Sequence, residues 1–433
     1  MGDHRFSVSA FRLASLIGLV CGYTAGGTAH AQTQSVSAAA ADTVPAPSAL
    51  RFYGSLEYLT WWAKGAPLSV PLVSTGPIAT THHGLLGPPA ENGADSTVLY
   101  GAGHAPAQGG NDIQNYPWAP GAKLTAGYWF DAQQRYAIEG SAFLLATRSA
   151  GFSAQGDANG SPILGIPVHN SVSYDIGTMT IFPGEDSLPF SLPDDPNRVR
   201  SNGIITGGID IKNTMTFWGA DLKGTVNLYR DPTWELTGLG GFRTLGLTEG
   251  FSLTSTIVGV TGPYTGQSGT VHDGFKTANQ FYGATFGVRG GAHYGRWFAE
   301  VTAQIAPGVS HETVDVTGGY TSVNFGPSNS GPEGVFAQPA NEGRRSSNHF
   351  AFATDSEVKV GYSVSNNVRL TLAYEHIYYS NVVRPTDQID RNLPKGQTFN
   401  QADPTISTTS PAKLFNTSSF YAQGINLGVE VRF

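Results

Sequence analysis

The sequence predicts an all-β protein, a transmembrane antiparallel up-and-down β-barrel of about ten strands with long extracellular loops and short periplasmic turns. Three features predict it: an alternating carboxyl-terminal segment, an alternation of long and short connections, and a composition poor in charge. Only 13% of the 433 residues are charged, which is about half of the usual share in a soluble domain. The 55 glycines and 11% aromatic residues suit many strands, tight turns and aromatic girdles.

The carboxyl-terminal segment alternates in polarity up to its last residue. Apolar side chains at 425, 427, 429, 431 and 433 alternate with polar or small residues. A period of two predicts a strand with one face for lipid and the other for a polar interior. A terminal strand with an aromatic last residue is typical of the segment that outer-membrane barrels present to the barrel-assembly machinery. We therefore assign the assembly signal to Leu427, Val429, Val431 and Phe433.

The amino-terminal residues predict export. Two arginines precede an apolar run, and Ala29-His30-Ala31 is a small-x-small cleavage site, so residues 1–31 are interpreted as a secretory signal peptide. A membrane-anchor helix is disfavoured because the apolar run is far shorter than the roughly 18–20 residues that a spanning helix needs. Residues 32–50 are rich in Ala, Ser and Pro and predict a flexible periplasmic lead-in. The barrel is predicted to occupy residues 51–433.

Ten segments show the period of two, and the connections between them alternate in length. The segments are Arg51–Trp62, Gly121–Phe130, Arg135–Arg148, Asn213–Tyr229, Trp234–Thr254, Thr277–His293, Trp297–Val316, His349–Ser363, Val368–Arg384 and Ser418–Phe433. Every second connection is a turn of a few residues, as in bacterial barrels with both termini on the periplasmic side. A soluble β-sandwich would show more uniform connections. Twelve strands are an alternative, because Ser171–Phe182 could add a hairpin.

The alternation also predicts which side chains face lipid and which line the lumen. Outward positions carry apolar residues such as Leu124, Leu222, Val301 and Leu372. The inward candidates are Lys123, Glu139, Asp221, Lys223, Glu235, Arg243, Arg289, Glu300, Asp355, Glu357, Lys359, Arg369, Glu375, Glu430 and Arg432. These are seven bases and eight acids, so the predicted interior is charged and nearly neutral. A charge that faced lipid at the bilayer midplane would cost about 2–4 kcal/mol for Arg or Lys, which explains why the charges keep to the inward positions.

Aromatic residues cluster near the predicted strand ends, and such clusters are typical of the two membrane interfaces. The clusters are Trp61-Trp62, Tyr128-Trp129-Phe130, Trp234, Trp297-Phe298 and Tyr378-Tyr379. Any single one could equally serve ordinary packing.

Other classes of function are disfavoured by the residue types. The only cysteine, Cys21, lies in the predicted signal, so the mature chain could be neither a disulfide scaffold nor a cysteine enzyme. A net charge of −7 without a long basic run argues against a nucleic-acid partner. The sequence has no nucleophile elbow, zincin or P-loop motif, so we predict neither an enzyme nor a cofactor. A barrel enzyme that assembles its site from different strands stays an alternative.

No metal site is predicted either. Histidines in the first long connection match no tight metal motif, and we interpret them, like two acidic loop segments that could bind calcium weakly, as ordinary loop residues. These groups are His82, His83, His104 and Asp112, then Asp194-Asp195, and finally Asp387-Gln-Ile-Asp390.

Four segments carry a resemblance to a known family. They are Phe52–Val73, Asn279–Gly283, Tyr378–Arg391 and Gln423–Gly428. Together they make the chain resemble the beta-barrel porin family seven, outer-membrane proteins prominent in planctomycetes. The sequence departs from the family pattern at Thr386, Ala340 and Glu342, all in loops. The resemblance implies an outer-membrane location and a barrel; it supplies no substrate and no catalytic residue.

Three classes of function follow from these predictions. About eight strands leave an interior that side chains fill, while 16–18 leave an aqueous channel, so ten or twelve allow a narrow pore. We favour a porin-like passive channel for small polar solutes in the outer membrane. The alternative is a non-conducting structural or surface-interaction barrel whose interior is plugged by its own ion pairs; a barrel enzyme is the third class. The predicted partners are outer-membrane lipid, the assembly machinery and, for a channel, small solutes. The sequence does not indicate the oligomeric state.

Overall fold

The computed structural model describes residues 51–76, 96–103, 109–170, 174–176, 179–181, 184–194, 203–324, 330–393 and 409–433. The predicted signal peptide and lead-in lie outside these ranges and remain predictions. None of the helices within the ranges has the length and apolar character needed to cross a membrane.

The described residues form strands and two short 3-10 helices, Gly262–Tyr264 and Thr386–Gln388. The strands are β1 (Phe52–Ala63), β2 (Ala66–Pro67), β3 (Pro71–Thr75), β4 (Thr97–Gly101), β5 (Ile113–Gln114), β6 (Ala119–Trp129), β7 (Tyr136–Leu145), β8 (Arg148–Gln155), β9 (Leu164–Asn170), β10 (Tyr174–Ile176), β11 (Met179–Ile181), β12 (Gly184–Ser191), β13 (Ile205–Arg230), β14 (Trp234–Gly259), β15 (Ser268–Tyr294), β16 (Trp297–Val323), β17 (Ser330–Gly331), β18 (Gly343–Ser363), β19 (Val368–Val383), β20 (Asn392–Leu393) and β21 (Thr417–Arg432).

Ten of these strands close into an antiparallel ring, as the sequence predicts. Its order is β14, β15, β16, β18, β19, β21, β1, β6, β7 and β13, and β13 pairs with β14 to complete it. The short turns lie at one end of the ring, which we call the turn end; the opposite end is the loop end. At the turn end, Tyr294 pairs with Trp297, and Gly295 takes the positive φ of 59° that such a two-residue hairpin requires.

The wall is not equally tall all round. Strands β13, β14, β15, β16 and β18 have 21 to 27 residues, whereas β1, β6 and β7 have 10 to 12. About 9–11 tilted residues cross a bilayer, so the five tall strands continue well beyond the membrane at the loop end. The predicted end at Thr254 and start at Thr277 are therefore too short, because Ser255 to Gly259 and Ser268 to Lys276 extend this hairpin.

The outer and inner faces alternate along each wall strand. Leu222 is 56% exposed and its neighbour Lys223 only 4%. Exposed aromatic side chains ring both edges of the apolar outer band: Trp234, Trp297 and Phe433 near the turn end, and Trp62, Trp118, Tyr282 and Phe350 nearer the loop end. This arrangement is typical of a membrane-spanning barrel.

The long connections fold inward at the loop end instead of standing free. Strands β12, β9, β3 and β4, with β20 beside β9, form a small separate sheet. Its side chains pack with the inner face of the tall wall into one apolar cluster, in which Leu72, Val168 and Phe336 meet Phe251 and Phe275. Of the hairpin suggested at Ser171–Phe182, the described residues form β10 and β11. These two strands pair only with each other, so the ring has ten strands and not the alternative twelve.

Candidate functional site: a lumen filled in two layers

A polar cavity of about 340 Å³ occupies the turn end of the lumen. All fifteen inward candidates of the sequence lie in this half of the barrel. Fourteen of them line the cavity; Arg243 lies behind it, 2% exposed. Arg230 and Asp231 of a turn and Arg432 of the last strand also border the cavity, so it opens toward the turn end.

The first ion-pair network crosses the lumen on the side of β1 and β6. Lys123 Nζ lies 2.8 Å from Glu375 Oε2 and 3.1 Å from Glu357 Oε2. Lys359 Nζ lies 3.1 Å from carboxylate oxygens of both Glu357 and Glu57. Lys123 is on β6 and Glu357 on β18, four strands away round the ring. These ion pairs therefore cross the lumen and do not lie along one side of it.

The second network crosses on the side of β13 and β14. Arg243 donates from Nε to Asp221 at 2.6 Å and from Nη2 to Asp355 at 2.6 Å. Glu139 accepts from Arg289 Nη2 at 2.9 Å. Lys223 lies 3.6 Å from Asp221 and 3.7 Å from Glu139, so it joins both halves of this network.

A third set of charges lies at the turn-end rim. Arg230 Nη2 donates to Glu235 at 3.2 Å, and Arg432 Nε donates to Glu430 at 2.7 Å. Arg369 lies 3.6 Å from Glu430. Glu300 faces the cavity, and its carboxylate forms no hydrogen bond or ion pair with any other residue that the structure describes.

Three carboxylates of the first network could meet at a metal ion by distance alone. The groups of Glu57, Glu357 and Glu375 lie within 4.8 Å of one another. Two ammonium groups already contact them, and Asn426 donates to Glu57 at 3.1 Å and to Glu375 at 2.7 Å. Buried carboxylates need such compensation, and here side chains supply it, so we assign no metal. His82, His83 and His104 lie outside the described residues.

A layer of aromatic rings separates the charged half from the loop end; we call it the septum. The centroids of Phe217 on β13 and Phe420 on β21 are 5.0 Å apart, although these strands stand four positions apart in the ring. Phe281 and Tyr379 also meet, at 5.5 Å. Trp61 completes the layer and donates from Nε1 to Asn426 at 2.7 Å, which ties the septum to the first ion-pair network.

Above the septum, the chain that follows β19 crosses the lumen; we call residues 383–393 the strap. Asn279 on β15 holds its start, because the Asn279 amide donates to the Val383 carbonyl at 2.9 Å and accepts from the Val383 amide at 2.7 Å. Arg384, fully buried, donates to Glu249 on β14 at 2.8 Å and to the Gly65 carbonyl at 2.8 Å.

The rest of the strap binds the other loops. Arg391 donates to the Pro167 carbonyl at 3.2 Å and pairs with Glu185. Gln388 donates to the Asn416 carbonyl at 2.8 Å. Segments from all four parts of the chain that carry the family resemblance thus meet at the strap, the septum and Asn426.

Some residues of this arrangement escaped the sequence prediction. Glu57 is 1% exposed between Leu56 and Tyr58, which are 62% and 50% exposed, so the same parity that marked the other inward residues would have found it. Lys223 contacts Asp221 on its own strand and Glu139 on β7, and strand parity alone does not identify these partners. Distances across a lumen cannot be deduced from the period of a strand.

One family model covers nearly all of the described chain. The family described as "Putative beta barrel porin-7 (BBP7)" matches residues 53–433. The chain belongs to this family. Membership in porin-7 confirms the predicted resemblance and the barrel architecture. No curated protein matches the chain at a significant level.

The solved structures matched to the chain include an outer membrane protease, a porin and a transporter. The outer membrane protease OmpT of Escherichia coli is 9% identical and covers 89% of this chain and 97% of its own, with a TM-score of 0.36. An anion-selective porin from Comamonas acidovorans is 9% identical over 89% and 99%, with a TM-score of 0.17. The toluene transporter TodX of P. putida is 10% identical over 89% and 90%, with a TM-score of 0.19. Scores this low support no conclusion about function.

Proposed function

We propose that this porin-7 protein is a structural or surface-interaction barrel of the outer membrane. In the described conformation it does not conduct solutes. The observation that carries the proposal is the contact of side chains from opposite walls. Phe217 meets Phe420 at 5.0 Å, and Lys123 and Arg243 each bind acids three or four strands away. Aromatic rings in contact leave no room for water between them.

The passive channel for small polar solutes is the second candidate. The family description and the charged cavity of about 340 Å³ favour it, because rings of charged side chains select ions in many pores. Under this reading the septum would have to move before a solute could pass. Porin-7 membership likewise favours a protein that is not an enzyme.

Conductance in a planar bilayer separates the two candidates. The refolded full chain, with folding checked by heat-modifiable migration and insertion by vesicle flotation, should give no current steps. Stable steps from inserted protein would reject the sealed barrel and support the channel. In that case Lys223→Leu should shift selectivity toward cations, whereas Arg135→Leu, at an exposed turn residue, should not.

The proposed location has its own test. Short turns should face the periplasm and long loops the outside. Ala158→Cys and Ser330→Cys, both at exposed loop positions, should therefore react with an impermeant maleimide on intact cells. Asp231→Cys should react only after the outer membrane is opened. The predicted mature chain has no other cysteine. Labelling of Asp231→Cys alone would invert the orientation.

A further inference from the structure

The outer face of the tall strands changes from apolar to basic just beyond the aromatic residues nearer the loop end. On β13 and β15 the last aromatic side chains of the outer face are Trp218 and Tyr282. At the third outward position beyond each of them, toward the loop end, stand Lys212 and Lys276, both exposed. The apolar band therefore gives way to cations within a short length of the same two strands.

A depression of about 420 Å³ lies between these lysines. Its floor is low because two neighbouring strands present glycines outward: Gly250 stands opposite Lys276, and Gly274 stands opposite Ser252. The hydroxyl groups of Thr214 and Ser252 border the same space. The depression thus combines two lysines, hydroxyl-bearing residues and one outward-facing acid, Asp315, with room for a bulky polar group.

The lysines are available for a ligand. The side chain of neither Lys212 nor Lys276 forms a hydrogen bond or an ion pair with any residue that the structure describes. Arg344 stands opposite Asp315, which itself stands opposite Lys276, and Asp210 is the next exposed outward residue beyond Lys212. The patch therefore has three cations and two acids on a chain whose net charge is −7.

The neighbouring outer face of β8 shows that these charges are not a general feature of this level. Its exposed outward positions carry only Ser149, Gly151, Ser153 and Gln155. The cations are therefore concentrated on the face that also has the depression.

We propose that this depression binds the phosphorylated sugar headgroup of a glycolipid in the outer leaflet. The inference rests on the proposed outer-membrane location and orientation of the barrel. A lipid whose acyl chains lie along the apolar band would place its headgroup beside Lys212 and Lys276. Basic residues next to a membrane-spanning segment attract anionic headgroups, and charge-assisted hydrogen bonds to phosphate are strong. Thr214 and Ser252 would bond sugar hydroxyls.

The test measures lipid retention by native mass spectrometry of the folded full chain in a neutral detergent. The probe is a synthetic glycolipid with a bisphosphorylated disaccharide headgroup, and a phosphocholine lipid is the zwitterionic comparison. The wild-type barrel should retain the glycolipid. Lys212→Gln/Lys276→Gln should lose about 10- to 30-fold in affinity, since each surface cation contributes about 1 kcal/mol toward an anionic headgroup.

A control variant removes the same number of charges elsewhere. Arg135→Gln/Arg296→Gln changes two exposed cations at the turn end and should leave glycolipid affinity unchanged. Folding of each variant is checked by heat-modifiable migration, because all four positions are exposed and tolerate the change.

Three outcomes would overturn the proposal. They are equal affinity in Lys212→Gln/Lys276→Gln and wild type, equal retention of the phosphocholine lipid, and displacement of the glycolipid by millimolar inorganic phosphate, which would indicate a site for the free anion. Lipid retention in detergent does not depend on whether the lumen conducts, so a failure here leaves the sealed barrel untouched. Maleimide labelling from the wrong side would reject the orientation separately.

Discussion

The two halves of the lumen are filled by different means. In the turn half, side chains of the wall itself surround the polar cavity, and Lys123 and Arg243 neutralise acids on strands three positions away round the ring. In the loop half, segments from the long connections enter and bury apolar side chains such as Leu72 and Phe336 against the wall. A narrow ring of about ten strands can be largely filled by its own alternating residues, whereas at the loop end segments of the connections occupy the interior.

The largest expected effect comes from the residue that joins the halves. Arg384→Ala should lower the free energy of unfolding by about 3–5 kcal/mol, because it leaves the buried Glu249 carboxylate without its partner. Denaturant titration of the protein refolded in bilayers measures this.

A double variant serves as the control for that prediction. Arg384→Met/Glu249→Leu removes both charges and should recover most of the lost free energy of unfolding. If the single variant costs less than about 1 kcal/mol, a threshold set by the value of an exposed ion pair, the strap is not held by this pair and the two halves are independent.

The next effect compares the two faces of one strand. Leu222→Arg places a charge on the lipid face and should cost about 2–4 kcal/mol near the midplane. Lys223→Leu should cost less, about 1–3 kcal/mol, because Glu139 keeps Arg289 and Asp221 keeps Arg243. The same titration measures both variants. If Leu222→Arg left the free energy of unfolding unchanged while Lys223→Leu unfolded the protein, the assignment of the two faces would be reversed.

The smallest equilibrium effect is expected at the end of the last strand. Phe433 is 62% exposed and its ring lies 6.2 Å from that of Phe52, so its deletion should cost below about 1 kcal/mol in stability. The amount of heat-modifiable barrel in the outer membrane should nevertheless fall, as it should for Val431→Asp/Phe433→Asp. Undiminished assembly would contradict the predicted signal.

The wall could be predicted from the sequence because its period is local. Successive residues of a strand face lipid and lumen alternately, so the sequence predicts the ten segments and the face of each side chain. Leu222, which faces lipid, and Lys223, which faces the lumen, are an example. The twelve-residue hairpin near Ser171 shows the limit, since periodicity predicts a strand without saying which sheet it joins.

The contents of the lumen could not be predicted in the same way. Arg384 follows a strand and precedes a proline, a sequence that predicts only the start of a loop. In the structure, however, Arg384 binds Glu249 across the barrel. Nor does Ser255–Gly259 reveal that the wall continues beyond the membrane, because its sequence, Ser-Thr-Ile-Val-Gly, does not alternate between polar and apolar residues. Partners far apart in sequence are fixed by the shape of the closed ring.

The seam between the first and last wall strands has a kinetic consequence. Tyr53 pairs with Arg432, and Ala63 pairs with Ala422, so this contact joins positions separated by nearly the whole described chain. Hairpins such as β13 with β14 join neighbours in sequence, so forming them costs little loop-closure entropy. The seam closes one very long loop, so its entropic cost is larger and it is expected to form later. Until β21 arrives, β1 presents a row of unpaired amides and carbonyls that could template aggregation. A periplasmic chaperone should therefore be needed most between the synthesis of β1 and the docking of β21.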